Sequence, residues 1–184
     1  MAQDLLGKLI VRKSGRSILS GRIVEVEAYR GAKDPASHAY RGKTNRNEVM
    51  FREGGYLYVY FTYGMHFCAN VVTGKRDYGE AVLIRAVEPI TGIEALKRNR
   101  SIDKSAGEFY ALTNGPAKLC QAFGITGKDN GTDLLGDEIF FIEGKSIPKS
   151  ATGTSVRIGI SRGREKRWRF FIKNNKWVSK HALS

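Results

Sequence analysis

The sequence predicts an α+β fold, a single domain over residues 1–184 built on a curved, mostly antiparallel sheet with helices packed around it. Three observations lead there. Runs rich in aromatic and β-branched residues recur along the whole chain. Helical stretches are few and do not alternate one for one with these runs, as a doubly wound α/β fold requires. Twenty-one glycines against four prolines mark many turns.

The elements follow in order. Residues 5–12 and 18–29 read as strands around a Ser14-Gly15 turn. Residues 56–62, 67–72 and 81–87 are the next strands. Residues 92–99 read as a helix, and so do residues 116–123. Pro116 suits a first helical position, and Gly124 supplies the stop. Residues 139–142, 156–160 and 168–172 return to strand character. There is no internal repeat, low-complexity tract or Pro/Ser-rich linker. No G-x-G-x-x-G or G-x-x-x-x-G-K-[ST] fingerprint occurs, so no nucleotide cofactor is expected.

Charge narrows the function. Thirty-one Lys and Arg stand against 18 Asp and Glu, giving a net charge of +13 and a pI near 9.9. Such a field attracts polyanions, of which nucleic acid is the commonest. A solvated basic surface or a place in a larger ribonucleoprotein is the alternative. Two cysteines, Cys68 and Cys120, make neither a disulfide framework nor a four-ligand zinc site. Each sits in an apolar run and reads as a reduced, buried thiol of an intracellular protein. No metal is expected. No apolar run reaches the ~18 residues of a membrane span, and Met1 opens no secretory signal.

Two segments carry the candidate chemistry. In the strand 23–29, alternation puts Glu25, Glu27 and Tyr29 on one face and Val24, Val26 and Ala28 on the other. By pattern alone the first set is a solvent face. The loop that follows carries His38, one of three histidines, and a lone loop histidine is more often structural than catalytic. Tyr56, Tyr58 and Tyr60 share one face of the next strand, and Tyr63-Gly64 forms the turn at its end. Most such stripes pack in a core. Several rings converging on one flat ligand, beside a carboxylate and under a basic exterior, suit a nucleic-acid base flipped out of its stack.

The chain resembles the alkyladenine (3-methyladenine) DNA glycosylase family. The resemblance rests on Arg22-Ile23-Val24-Glu25-Val26-Glu27-Ala28-Tyr29, on Asp34 and His38, and on the Leu57-Tyr58-Val59-Tyr60-x-x-Tyr63-Gly64-Met65 block. Leu83-Ile84-Arg85-Ala86-Val87-Glu88-Pro89 and the run from Asn114 to Ala122 extend it. Arg157-Ile158-Gly159-Ile160 and the Trp-containing tail complete it. Each block alone is weak, but all of them in order, from Leu5 to about Trp177, are specific.

The resemblance implies a monofunctional DNA N-glycosylase acting on alkylated or deaminated purines, of 3-methyladenine or hypoxanthine type, in double-stranded DNA. Glu27 is implied as the carboxylate that activates water, and Arg85 as the residue that holds carboxylate and water in place. Glu25 is implied as a structural neighbour. Tyr29, His38 and Tyr60 are implied to sandwich the extruded base, and Asn70 to crowd the 2-amino group of guanine. Tyr63 is implied as the ring that wedges into the duplex. The basic stretch from Arg157 to Arg169, with Arg157, Arg162 and Arg164 foremost, is expected near phosphates. A second basic loop, Arg41, Lys43 and Arg46, adjoins His38. No cofactor is implied, and a monomer with no membrane association is expected. The compact length suggests a bacterial cytoplasm rather than a eukaryotic nucleus.

Two other readings stay open on sequence. One is a binding module for DNA or RNA that has kept the fold without catalysis. It has no need of Glu27 and Arg85. The other is a base-processing enzyme acting on structured RNA.

Overall fold

The computed structural model describes residues 1–15, 17–102 and 106–179, so the last residues of the expected domain, 180–184, lie outside the described residues. Its centre is one curled antiparallel sheet. The strands are β1 (Leu9–Ser14), β2 (Ser17–Arg30), β3 (Leu57–Thr62), β4 (His66–Val72), β5 (Glu80–Thr91), β6 (Ile139–Ile142), β7 (Thr152–Ser155) and β8 (Arg169–Ile172). The order is β3-β4-β5-β2-β1-β6, with β8 joining β2 and β7 off that path. Helix α1 (Ile93–Arg100) and helix α2 (Pro116–Phe123) complete the regular elements, alongside short 3₁₀ turns. The architecture is the α+β one that the sequence predicts. Among the described residues no helix is long and apolar enough to cross a membrane.

β2 organises the sheet. Its first half pairs with β1, as at Arg22 and Leu9, and its second half pairs with β8, as at Glu25 with Phe171 and Glu27 with Arg169. β5 runs along its other edge throughout. β2 is therefore a central strand whose two faces are both covered. That overturns the solvent face expected for Glu25 and Glu27, since both carboxylates are fully buried, like Val24 and Val26 behind them. Register breaks flank Glu25 on β2, which pairs with Ala86, and the second of them skips Arg85 on β5. Such a bulge re-aims side chains.

The main core lies between the sheet and the two helices. Ile10, Ile23, Val24, Ile84 and Val87 meet Leu96 of α1 and Leu119, Ala122 and Phe123 of α2 there. Apolar residues on one side of each short helix find this core, as the amphipathic pattern requires. α2 begins with Pro116 and ends at Gly124 in the left-handed conformation, as its sequence signals predict. A second, smaller cluster of Ala39, Val49, Met50, Tyr58, Val72 and Ala81 anchors the long excursion between β2 and β3 against the sheet. Gly31 starts that excursion at φ +49°, where an added Cβ would lie 2.1 Å from the Tyr78 carbonyl oxygen.

Three strand expectations are corrected. Residues 5–8 form the end of a 3₁₀ turn and a bend, and β1 starts at Leu9. β5 continues past Val87 to Thr91. Residues 156–160 are not a strand, and pairing stops at Ser155. The physical reason is local. Arg157 turns inward to Asp34, and the Ile158 N–H is taken by the Glu27 carboxylate instead of a neighbouring strand.

Candidate active site

A cleft of about 420 Å³ opens where β3 and β4, the loop after β2 and the segment after β7 meet. Its walls include Tyr29, His38, Tyr58, Tyr60, Tyr63, Asn70 and Arg85. Six of the residues singled out in the sequence thus converge from β2, β3, β4, β5 and two loops. Tyr58 is the seventh, and sequence reasoning left it as an ordinary member of the tyrosine stripe.

Glu27 lies directly behind this wall, with its side chain fully buried. Its two oxygens are held differently. Oε1 accepts the Ile158 backbone N–H at 2.8 Å and lies 3.3 Å from Arg85 Nη1. Oε2 accepts the Tyr29 hydroxyl at 2.9 Å. An ionised carboxylate offers about four acceptor positions, so these donors leave room on Oε2 for one more. Tyr29 is pushed well above the usual tyrosine range, first by burial and then by the charge of Glu27. It therefore stays a protonated donor.

Arg85 is buried between two carboxylates. Its Nε donates to Glu25 Oε1 at 2.9 Å. Burial works against its charge, but Glu27 and Glu25 outweigh burial and hold it above the usual arginine value. Glu25 also takes Nε of Arg169 at 2.6 Å, together with the backbone N–H and the hydroxyl of Ser179, both at 2.8 Å. Burial pushes its pKa up, but Arg85 and Arg169 more than reverse that and hold the group below the usual glutamate range. A buried charge is tolerable when paired and hydrogen-bonded in this way.

The aromatic wall is built on β3 and the loop. His38 and Tyr60 meet edge to face with centroids 4.4 Å apart, and Tyr58 and Tyr60 lie 5.6 Å apart. His38 Nδ1 is 3.0 Å from the Tyr58 hydroxyl. Partial burial, followed by the charge of Arg46, holds His38 below the usual histidine value, so its ring is neutral at physiological pH. Burial pushes Tyr58 up to about 12. Asn70, cross-strand from Tyr58, donates through Nδ2 to the Tyr58 carbonyl at 3.1 Å. Its amide is thereby fixed on the cleft floor, beside Cys68. Both cysteines are free and buried.

Tyr63 stands at the tip of the β3–β4 hairpin. It is 82% exposed and sits at φ +51°, followed by Gly64 at φ +68°. A bulky residue in the left-handed region is uncommon and marks a site worth a functional explanation. Phe61 and Met65 are exposed on either side of it.

The basic stretch divides. Arg162 is exposed on the rim of the cleft, and Arg164 is exposed with Nε donating to the Ile160 carbonyl at 3.0 Å. Arg41, Lys43 and Arg46 are exposed as well. Arg157 corrects the expectation. Its guanidinium is fully buried and engages both oxygens of a fully buried Asp34. It has no surface with which to meet a phosphate. Arg169 is buried in the same manner on Glu25. The acidic partners that capture these arginines are more than a hundred residues away in sequence, which no local pattern reports.

The chain matches the family model described as methylpurine-DNA glycosylase over residues 1–176. A protein from Carboxydothermus hydrogenoformans is 51% identical, over 98% of this chain and 92% of the relative. One from Chlorobium phaeobacteroides is 47% identical, over 98% and 90%. One from Clostridium novyi is 47% identical, over 98% and 92%. Each of the three carries the name "Putative 3-methyladenine DNA glycosylase".

Proposed function

This chain belongs to the methylpurine-DNA glycosylase family, and on that premise we propose that it removes alkylated or deaminated purines, of 3-methyladenine and hypoxanthine type, from double-stranded DNA. It is a DNA glycosylase, a hydrolase acting on DNA. The observation that carries the finer reading is the Glu27 carboxylate, buried behind an aromatic cleft with an acceptor position still free.

The reaction follows from that geometry. The damaged nucleotide leaves the stack, and its base enters between Tyr29 and the His38 and Tyr60 rings. Stacking of this kind contributes about 1–3 kcal/mol per base. The faces of tyrosine are electron-rich, so they favour a cationic alkylated purine over a neutral one. Tyr63 fills the gap in the duplex, which offsets part of the few kcal/mol of unstacking. A water held on Glu27 Oε2 attacks the anomeric carbon of the sugar. Glu27 takes its proton, the N-glycosidic bond breaks, and its electron pair leaves with the base. The same carboxylate stabilises the cationic sugar on the way. Arg85 holds Glu27 in place through its Nη1.

Asn70 narrows the pocket against the 2-amino group of guanine. Among the described residues no lysine lines the cleft, which supports an intact strand with an abasic site as the product, without a Schiff-base step. Arg162, Arg164, Arg41, Lys43 and Arg46 supply the phosphate contacts. The whole chain acts as one glycosylase domain and as a monomer. The three relatives named above are bacterial, which supports a bacterial cytoplasm.

The test incubates wild type and Glu27→Gln with alkylated duplex DNA, and separately with a duplex holding one hypoxanthine. Released base is measured by chromatography, and duplex binding is measured in parallel. Release by wild type alone, with both proteins binding duplex, is the expected result. Equal release by the variant removes Glu27 from its role. Release from alkylated DNA only restricts the substrate range. Tight binding with no release by wild type leaves a damage-binding module.

A further inference from the structure

A buried ion pair adds little stability that a well-packed apolar pair cannot match, so the Arg157–Asp34 pair calls for a geometric explanation. The guanidinium of Arg157 touches separate pieces of the structure that surround the cleft. Nη1 donates to the Ala28 carbonyl at 2.9 Å, on the strand that carries Glu27 and Tyr29. Its flat face lies 4.6 Å from the Tyr29 ring centroid and 5.2 Å from that of Trp168. Nη2 donates to Asp34 Oδ1 at 2.8 Å. Asp34 in turn accepts the backbone N–H groups of Arg30 and Ala36, which fixes the turn leading to His38. The next residue in the chain, Ile158, donates its N–H to Glu27. Nε of Arg157 is buried with no hydrogen-bond partner among the described residues.

We propose that Arg157 is a positioning residue for base excision. Clamped by Asp34, its guanidinium backs the Tyr29 ring on the side away from the base and anchors the backbone that aims the Ile158 N–H at Glu27. Arginine suits this task and lysine does not, because only a planar fork binds a carboxylate with two nitrogens while stacking on a ring. The inference rests on the roles proposed above for Glu27 and Tyr29.

Single-turnover excision, with enzyme saturating over an alkylated or hypoxanthine-containing duplex, tests it in wild type, Glu27→Gln and Arg157→Lys. Thermal unfolding and affinity for an abasic duplex are measured alongside. Arg157→Lys is expected to slow the excision step about 10- to 100-fold, the range for a small misplacement of reacting groups. It is expected to leave abasic-duplex affinity and its salt dependence within about 2-fold, at temperatures well below unfolding. In a Tyr29→Leu background the same change is expected to cost much less, since residues acting as one unit are not additive. Should Arg157→Lys not fold, the charge-neutral pair Asp34→Asn with Arg157→Gln is read in the same way. An unchanged excision rate with a lowered unfolding temperature overturns the proposal and leaves a purely structural ion pair. Lost affinity with a smaller salt slope overturns it in favour of a phosphate contact. If Glu27→Gln excises at the wild-type rate, the reading of the site falls, and this proposal with it.

Discussion

Arg85 Nε donates to Glu25 Oε1 at 2.9 Å, and both side chains are buried in the sheet. The same guanidinium reaches Glu27 at 3.3 Å through Nη1. A carboxylate that the alternation pattern assigns to solvent is thus the anchor of the arginine beside the proposed water-activating group. Replacing Glu25 by Gln removes the carboxylate that Arg169 pairs with and leaves Arg85 with Glu27 alone of its two counter-charges. The expected loss is about 3–5 kcal/mol of folding stability, typical of removing one partner from a buried pair. Denaturant unfolding measures it, and an unchanged midpoint overturns it.

The same residue sets a pH dependence. Glu25 is held below its ordinary value of 4.5 in the folded protein, and Asp34 is likewise held below 3.8, chiefly by Arg157 against the cost of burial. The unfolded chain therefore takes up these protons first as pH falls. The stability they contribute is full above the ordinary carboxylate values and is lost as pH drops through the folded ones. Unfolding free energy of wild type is expected to decline steeply below about pH 4.5. Glu25→Gln, less stable at neutral pH, is expected to decline less steeply. Parallel curves for the two proteins contradict this linkage.

One substitution separates the two tasks proposed for Tyr29. Tyr29→Phe keeps the ring on the cleft wall and removes the hydroxyl that donates to Glu27 Oε2 at 2.9 Å. A hydrogen bond to a charged group contributes about 1.5–3 kcal/mol. Excision is expected to slow roughly 10- to 100-fold with DNA affinity preserved. Tyr29→Leu is expected to lose rate and base capture together. Equal effects of the two variants on affinity count against a stacking role.

At the hairpin tip, Tyr63→Gly relieves a left-handed backbone and deletes an exposed ring. Thermal stability is expected to hold or rise slightly, because glycine adopts positive φ without penalty. Excision from duplex is expected to fall by an order of magnitude or more, following about 1–3 kcal/mol of lost stacking. The loss on single-stranded substrate, where there is no gap to fill, is expected to be much smaller. Equal losses on both substrates remove the wedge role.

Salt titration separates the arginines. Arg162→Ala and Arg164→Ala are each expected to lower the slope of log affinity against log salt by about 1. The exposed position of both side chains motivates this. A slope unchanged by either substitution removes that residue from the phosphate contacts.

Much of this site is legible along the chain. Strand character, the 116–123 helix with its proline start and glycine stop, and the Tyr63-Gly64 turn come from local chemistry that neighbouring residues carry themselves. The clustering of Glu27, Tyr29, His38, Tyr60, Asn70 and Arg85 was available only through resemblance, since no local period links residues on five segments. Tertiary structure alone decided which charges are buried. Arg157 meets Asp34, Arg169 and Ser179 meet Glu25, and Ile158 meets Glu27, each across more than a hundred residues. A basic run looks the same in sequence whether its charges face water or a distant carboxylate. Only the folding of the segment from Arg157 to Ser179 onto β2 and the loop after it brings those carboxylates within reach, and burial then requires that each be paired.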